Sequence, residues 1–231
     1  MSWALRVETN EMMLKRILEP EVMDSPQEAR SYDAMDHEAV NNLFVDDFLS
    51  ATEDFAGSVL DVGTGTARIP VVLCHRWPHC ELTGIDLSRQ MLQLAEGNIE
   101  AAGLASRIFL AHTDAKHLPY DDNTFAAVIS NSILHHIPQP ARVLAEAVRV
   151  VKPGGILFWR DLIRPVDERT LDRLVEMYAG GENVHQQKLF RDSLWAAFCI
   201  DEMQELVSNL GFDPLSVQAT SDRHWTWLAR K

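Results

Sequence analysis

Residues 58–70 have the sequence SVLDVGTGTARIP, and this stretch decides the fold. The apolar run at its start is typical of a short buried strand, and it ends at Gly63-Thr64-Gly65, just before a helical pattern. Glycines in such a loop let the backbone approach a ligand closely, and the helix that follows presents free N–H groups. Because the loop stands between a strand and a helix, we interpret it as a ligand-binding loop rather than a simple turn.

Strands and helices alternate along the chain after this loop. Short apolar segments predict four further strands, in the order ELTGIDLS, RIFLAHTDA, FAAVISNS and ILFWRDLI. Helical patterns stand among them: TARIPVVLCHRW, SRQMLQLAEGNIEAAG and ARVLAEAVRVV. Ser88 is expected to cap the second of these helices and Gly103 to end it. Alternation of this kind indicates βαβ units and a parallel sheet.

The N-terminal part of the chain is predicted to be helical. Apolar residues recur near helical spacing before Pro20 and again over residues 36–49, so we expect two helices there. The first run consists of Met12, Met13, Ile17 and Leu18.

The C-terminal part combines helices with two late strands. LDRLVEMYAG and DEMQELVSNLG predict helices, and the segment at Phe190 is expected to open another, with Asp192 and Ser193 as its cap. Two strands joined by a turn near Ser221 and Asp222 must run antiparallel to each other. The sheet therefore gains a reversed strand at one side.

Composition excludes several classes of protein. The net charge is −13, from 21 Lys and Arg against 34 Asp and Glu, which disfavours broad binding to nucleic acid or to an anionic membrane surface. Three cysteines without a CxxC pair disfavour a disulfide framework or a zinc finger. We expect no membrane span and no export signal, and hence a cytoplasmic location. The sequence carries no signal for an oligomeric state.

The loop alone leaves two ligand classes open, a dinucleotide and an adenosyl compound. Counted from Gly63, the third small residue of a dinucleotide fingerprint would fall at Arg68, which is expected to obstruct helix–strand packing and the pyrophosphate path. Asp86 ends the second strand, and an acid there hydrogen-bonds a ribose diol in either class. Asp86 therefore does not discriminate, and an acid favoured by the helix dipole is a simpler interpretation of it.

Residues 58–165 resemble the class I S-adenosylmethionine-dependent methyltransferases, particularly the methyltransferase type 11 and ubiquinone/menaquinone-biosynthesis-like group. The similar segments are VLDVGTGTARIP, GIDLS, HTDAKHLPYDDNTFAAVISNSILHHI and KPGGILFWRDL. The resemblance implies an α/β fold: a Rossmann-like, doubly wound, mostly parallel seven-stranded sheet with an antiparallel strand and an N-terminal helical lid. Ala67 replaces a third glycine that many members have, which we expect to matter little because alanine is small.

The resemblance also implies S-adenosylmethionine as the cofactor and gives roles to residues near its methionine part. Gly63 and Gly65 would let that part lie against the loop. Asp61 would orient the loop and the methionine amino group. Asn131 would sit beside the sulfonium and the methionine.

Four more residues would contact the adenosine by the same resemblance. Asp86 would hold both ribose hydroxyls, and Leu87 would press on one face of the adenine. Asp114 would accept a hydrogen bond from the exocyclic amine, and Ala115 would supply a backbone N–H to the ring. The simpler interpretation of Asp114 is a turn cap.

The chemistry of the acceptor points to the loop after the fourth strand. His135 or His136 is a candidate general base, because histidine titrates near neutral pH. The alternative is that one histidine bonds to backbone while the other packs in the loop. We predict no metal here, since neighbouring residues rarely point at one ion and no third ligand is evident.

Three arginines and one tyrosine are candidates for binding the acceptor. Arg160, Arg164 and Arg223 would hold an anionic acceptor if they converge. The alternative is that Arg160–Asp161 and Asp222–Arg223 form internal ion pairs. Tyr32 lies in a segment similar to one that closes over the methyl donor in related proteins, and simple packing is its alternative role.

We therefore predict one methyltransferase domain over residues 1–231, with a helical lid (1–55), a cofactor-binding core (56–165) and a substrate-side part (166–231). It would transfer a methyl group from S-adenosylmethionine to a small molecule by in-line displacement. Two alternatives are a non-catalytic cofactor-binding subunit and an NAD(P)-dependent oxidoreductase.

Overall fold

A computed structural model describes residues 14–19, 25–34, 38–52 and 56–231. Its helices are α1 (Pro26–Asp33), α2 (Glu38–Ser50), α3 (Arg68–Arg76), α4 (Arg89–Ala101), α5 (Pro140–Val150), α6 (Glu168–Ala179), α7 (Val184–Ala196) and α8 (Ile200–Asn209). Its strands are β1 (Ser58–Val62), β2 (Glu81–Asp86), β3 (Ile108–His112), β4 (Phe125–Asn131), β5 (Val151–Leu162), β6 (Val217–Ala219) and β7 (His224–Arg230). Short 3-10 turns span Leu134–His136 and Pro214–Ser216. No helix in these ranges is both long and apolar enough to cross a bilayer.

The seven strands form one sheet in the order β3-β2-β1-β4-β5-β7-β6. The pairs β1–β2, β1–β4, β2–β3 and β4–β5 are parallel. β7 runs opposite to β5, because the backbone N–H of Ile163 donates to Arg223 while that of Lys231 donates to Gly155. The predicted mostly parallel seven-stranded sheet with an antiparallel strand is thereby confirmed.

Local sequence explains how the middle of the chain folds. β1 is buried from Val59 to Val62, as a central parallel strand covered on both faces must be. The side chain of Ser88 accepts a hydrogen bond from the N–H of Met91 and so caps α4, as predicted. Gly103 follows α4 with a φ of +69°, the left-handed conformation in which glycine ends helices.

The described residues divide into two compact units. The first unit takes its residues from 22–133, 139–160 and 227–231. Aromatic edge-to-face contacts mark its core, where Phe44 and Phe48 lie 5.0 Å and 5.6 Å from Phe158 between ring centroids. Trp159 is also buried there, and its indole N–H has no hydrogen-bond partner among the described residues.

The second unit takes its residues from 1–21, 134–138 and 161–226, as far as these are described. Leu171, Leu174 and Leu194 form the centre of its core. Trp225 is fully buried in this unit, again with an indole N–H that lacks a described partner.

The helix predicted before Pro20 is wrong in the part of it that the structure describes. Residues 14–19 have no regular secondary structure, and Ile17 and Leu18 are 55% and 52% exposed, so their spacing does not mark a buried helix face. The other two residues of that run, Met12 and Met13, lie outside the described residues. This segment belongs to the second unit, whereas α1 and α2 belong to the first. The single-domain assignment and its internal boundaries stay a prediction.

The cap predicted for the helix at residue 190 is also wrong. Asp192 and Ser193 lie inside α7, which begins at Val184. Its cap is Asn183, whose side chain accepts a hydrogen bond from the N–H of Gln186 at 3.0 Å. The prediction starts this helix about six residues too late, because the first turns of α7 are mostly polar and largely exposed.

Candidate functional site

The glycine loop is tied to the neighbouring strand and shaped by left-handed residues. The N–H groups of Gly63 and Thr64 both donate to the carbonyl of Ile85 at 2.9 Å. Gly63 and Gly65 have φ values of +73° and +54°. A Cβ on Gly63 would lie 2.2 Å from Cγ2 of Ile133, so this position requires glycine for space as well as for conformation.

Ala67 adopts the same left-handed conformation, with a φ of +60°. An L-residue with a Cβ is strained there by roughly 1–2 kcal/mol, whereas glycine is not. The expectation that alanine has little consequence at this position is therefore incomplete, since it considered only the size of the side chain.

Asp61 carries a buried carboxylate without a full set of partners. It is 2% exposed, and its Oδ2 has no hydrogen-bond partner among the described residues. The pKa of Asp61 is raised to about 7, chiefly by burial and also by the nearby charge of Asp86, against an opposing contribution from Thr64. Such a group is poised to accept hydrogen bonds from a cation.

Asp86 joins the glycine loop to the start of α4. One of its oxygens accepts from the N–H of Gly65 at 2.9 Å, and the other accepts from the N–H of Ser88 at 2.8 Å. Burial raises the pKa of Asp86, although these backbone hydrogen bonds oppose the shift. The carboxylate of Asp86 thus stabilises the loop through hydrogen bonds and also places an acidic group beside it.

The remaining predicted cofactor residues follow neighbouring strands. Asp114 comes after β3, and its Oδ1 accepts from the N–H of Lys116 at 2.9 Å, which is the turn-cap geometry. The carbonyl of Leu87 accepts from Nε2 of His112 at 3.0 Å. Ala115 follows Asp114 and is partly exposed, and Asn131 ends β4.

Strand order brings these residues to one edge of the sheet. β3, β2, β1 and β4 are consecutive and parallel, so their carboxyl ends lie side by side. Each of the four strands has one polar residue at its end or within two residues of it: Asp114, Asp86, Asp61 and Asn131 in that order. In open α/β sheets this edge is where ligands bind.

Asp33, the last residue of helix α1, connects this helix to the start of α3, directly after the glycine loop, and to α4. The guanidinium of Arg68 donates to both oxygens of Asp33 at 3.0 Å, and Nδ2 of Asn98 donates to Asp33 at 3.1 Å. A Cβ on Gly65 would lie 3.9 Å from the ring of Tyr32, which places this tyrosine beside the loop. Burial, with the charges of nearby acids, raises the pKa of Tyr32.

The Asp33–Arg68 ion pair was not predicted from the sequence, and the expectation that Arg68 obstructs packing is wrong. Its side chain is half exposed and points to Asp33, so it does not obstruct packing between helix and strand. The argument against a dinucleotide from helix packing is therefore wrong. Asp33 stands next to Tyr32, which was already a candidate for closing over the methyl donor, and that adjacency was the available signal.

This edge of the sheet fits S-adenosylmethionine. The partnerless oxygen of Asp61 suits the positively charged amino group of the methionine. Gly65 has no side chain on the side of the loop that Tyr32 borders, and Asp86 offers carboxylate oxygens next to the loop. These residues would hold the cofactor, with Asp114 and Asn131 at the neighbouring strand ends.

The histidine turn lies in the second unit and holds a buried dyad. Nδ1 of His135 lies 2.6 Å from Oδ1 of Asp161, and the backbone N–H of His135 donates to Oδ2 at 3.1 Å. Burial by itself lowers the pKa of His135, but the charge and hydrogen bond of Asp161 outweigh it, so the pKa is raised. Because Asp161 occupies Nδ1, Nε2 is the nitrogen left to exchange a proton.

His136 has its own carboxylate partner. Nδ1 of His136 lies 2.9 Å from Oε2 of Glu19, which is ion-pair distance, although the angle is not that of a hydrogen bond. Burial, with the charge of His135, lowers the pKa of His136 despite Glu19. The two imidazole rings are 4.0 Å apart between centroids.

Glu19 corrects one premise of the metal prediction. Ligand atoms of Glu19, His135 and His136 all lie within 4.8 Å of one another, so a third group is present and the two neighbouring histidines do face one region. The sequence could not reveal this, because Glu19 lies more than a hundred residues before the turn. Asp161 was also missed, since its neighbour Arg160 had seemed the natural partner.

Each of the three candidate arginines is engaged within its own unit. Arg160 pairs with Asp47 at 2.5 Å in the first unit. In the second unit Arg164 pairs with Glu202 at 2.7 Å, and the guanidinium of Arg223 lies 3.4 Å from the ring centroid of Tyr178. The predicted Arg160–Asp161 pair is wrong, because Asp161 is used by His135. Acceptor binding by these arginines stays a prediction.

Comparison with known proteins agrees with this geometry. Residues 60–159 match the family described as methyltransferase domain. A ubiquinone/menaquinone biosynthesis C-methyltransferase of Desulfotalea psychrophila is 40% identical over 100 residues, which are 43% of this chain and 39% of that protein. A 27-O-demethylrifamycin SV methyltransferase of Amycolatopsis mediterranei is 28% identical over 177 residues, 75% of this chain and 61% of that protein. The chain spans about half the length of the curated relatives it matches.

Solved structures share the fold over most of the chain. The crystal structure of a putative S-adenosylmethionine-dependent methyltransferase from Methanococcus maripaludis superposes with a TM-score of 0.69 at 16% identity, covering 93% of this chain and 97% of that one. At this identity the likeness concerns the fold alone. Residues 60–159 therefore belong to the methyltransferase domain family, and the fold of the chain around them is one that an S-adenosylmethionine-dependent methyltransferase adopts.

Proposed function

We propose that the protein is a cytoplasmic enzyme that methylates a small molecule at a hydroxyl group. When bound, S-adenosylmethionine supplies an activated methyl group that is transferred by in-line displacement. The protein then has to hold the cofactor, align the acceptor and remove the acceptor's proton.

The observation that carries the proposal is the buried carboxylate of Asp61 at the glycine loop. Its Oδ2 lacks a partner among the described residues, and a buried carboxylate oxygen is costly to leave unpaired. An ammonium group from the cofactor would satisfy it. Asp86 and Asp114 at the adjacent strand ends supply the acceptors for a ribose diol and an adenine amine.

The state of the arginines and histidines supports a neutral hydroxyl acceptor over an anionic one. Arg160 and Arg164 already have carboxylate partners, so neither is poised to bind an anion. His135, by contrast, has the arrangement of a general base. Asp161 fixes its Nδ1 and stabilises the imidazolium that forms when Nε2 takes a proton.

The direct test is a screen for release of S-adenosylhomocysteine from S-adenosylmethionine, with phenols, alcohols, thiols and amines as acceptors. We expect turnover with at least one hydroxyl compound. Turnover confined to thiols or amines would overturn the hydroxyl assignment. Tight binding of S-adenosylhomocysteine without any turnover would favour the non-catalytic subunit instead.

The role of His135 is tested in the same assay. We expect His135→Ala to lower kcat by roughly 10²–10⁴, the usual contribution of a positioned general base. His185→Ala is the matched control, because His185 is exposed in α7 and has no part in the site. Equal activity of the two variants at every pH would contradict the general-base role.

A further inference from the structure

The N-terminal segment of residues 14–19 is fastened to the histidine turn by one arginine. Nε of Arg16 donates to the carbonyl of Ala196 at 2.6 Å, and its Nη2 donates to the carbonyl of His135 at 3.0 Å. The guanidinium also lies over the ring of Phe198, 3.7 Å from its centroid. These contacts fix the segment in position within the second unit.

Anchoring by Arg16 delivers Glu19 to the second histidine. Glu19 is only 11% exposed, and its carboxylate lies 2.9 Å from His136. The two imidazole rings are 4.0 Å apart between centroids and tilted by 40°, and Asp161 lies 2.6 Å from His135. A buried cluster of four groups results, in which each of the two imidazoles has its own carboxylate partner.

Because the cluster is buried, the charge on each of its groups affects the protonation of its neighbours. A positive charge on His135 is stabilised by Asp161 and also by Glu19, whereas Arg16 opposes it. Ser193 contributes a weak 3.4 Å contact to Glu19. The charges of Glu202 and Arg164 also act on Arg16, so these two residues belong to the charged surroundings of the cluster.

We propose that residues 14–19 form part of the acceptor site and that Glu19 is a positioning residue, holding the histidine pair in place and stabilising the proton that His135 takes up. The inference rests on the proposed function in treating His135 as the base. The inference adds the carboxylate of Glu19, which is far away in sequence, to the residues that act on the acceptor.

The test is an NMR titration of the imidazoles, made in the presence of EDTA so that the rings report protons only. We expect Glu19→Gln to move the titration of His135 to lower pH, because a negative charge that favours the imidazolium is lost. Glu19→Asp keeps the charge and should restore most of the wild-type titration. Lys15→Gln is the matched control, since Lys15 is exposed on the same segment.

Activity gives the second readout once an acceptor is known. Glu19→Gln should lower kcat by roughly tenfold or more and shift the acidic limb of its pH profile to lower pH. Thermal unfolding of each variant checks that the fold is intact at the temperature used. An unmoved His135 titration in Glu19→Gln would overturn the inference, even if methylation is found. The titration needs no acceptor. Its outcome can therefore be interpreted even if the activity screen finds no turnover, and the failure of the inference is distinguishable from the failure of the proposed function.

Discussion

Asp61 sets the pH range in which the cofactor should bind. Its pKa is raised to about 7 by burial, so the carboxyl group is increasingly protonated below that pH. Only the ionised form attracts an ammonium group. We therefore expect the affinity for S-adenosylhomocysteine to weaken as pH falls below 7, approaching tenfold per pH unit, when it is measured by calorimetry.

The variant Asp61→Asn separates this effect from other groups. At pH 8 it should bind about 10–150-fold more weakly, because a charged hydrogen bond contributes roughly 1.5–3 kcal/mol. Its affinity should be nearly constant between pH 6 and 8. Without cofactor it should unfold at a higher temperature than wild type at pH 8, since a raised carboxyl pKa means that ionising Asp61 destabilises the native state. A steep pH dependence retained in the variant would assign the effect to another residue.

At the scale of elements, the glycine loop offers a matched pair of substitutions. Gly63→Ala and Gly65→Ala both place a Cβ on left-handed backbone, which costs roughly 1–2 kcal/mol. Only Gly63→Ala also clashes with Ile133, which adds about 1–3 kcal/mol. Urea unfolding should show Gly63→Ala to be clearly less stable than Gly65→Ala. Equal stabilities would mean that Ile133 moves aside freely.

Among the elements, the sequence predicts the strands and helices from β1 to β5 but not the conformation of the segment around Ile17. The alternation from β1 to β5 was readable because parallel strands are short apolar runs and their helices carry local caps such as Ser88. The segment around Ile17 was not, because its apolar spacing mimics a helix while its conformation is set by contacts with residues near 135 and 196. The Glu19–His136 and Asp161–His135 pairs depend on the same kind of distant contact, which no local pattern encodes.

For the whole molecule, the cofactor should act as a stabiliser. A ligand that binds only the native state at 100 times its Kd adds about 2.7 kcal/mol to the free energy of unfolding. For a chain of 231 residues this corresponds to an increase in Tm of roughly 5–10 °C with S-adenosylhomocysteine. NADH should have no effect. An increase with NADH and none with S-adenosylhomocysteine would revive the oxidoreductase alternative.

Three buried tryptophans give the molecule its own reporters. Trp159 and Trp227 belong to the first unit and Trp225 to the second, and all three indole rings are shielded from water. An indole emits at shorter wavelength in such surroundings and shifts to longer wavelength when water reaches it. The difference in fluorescence between the wild type and Trp159→Phe or Trp225→Phe during denaturation would therefore show, without any added label, whether the two units lose their structure in one step or in two.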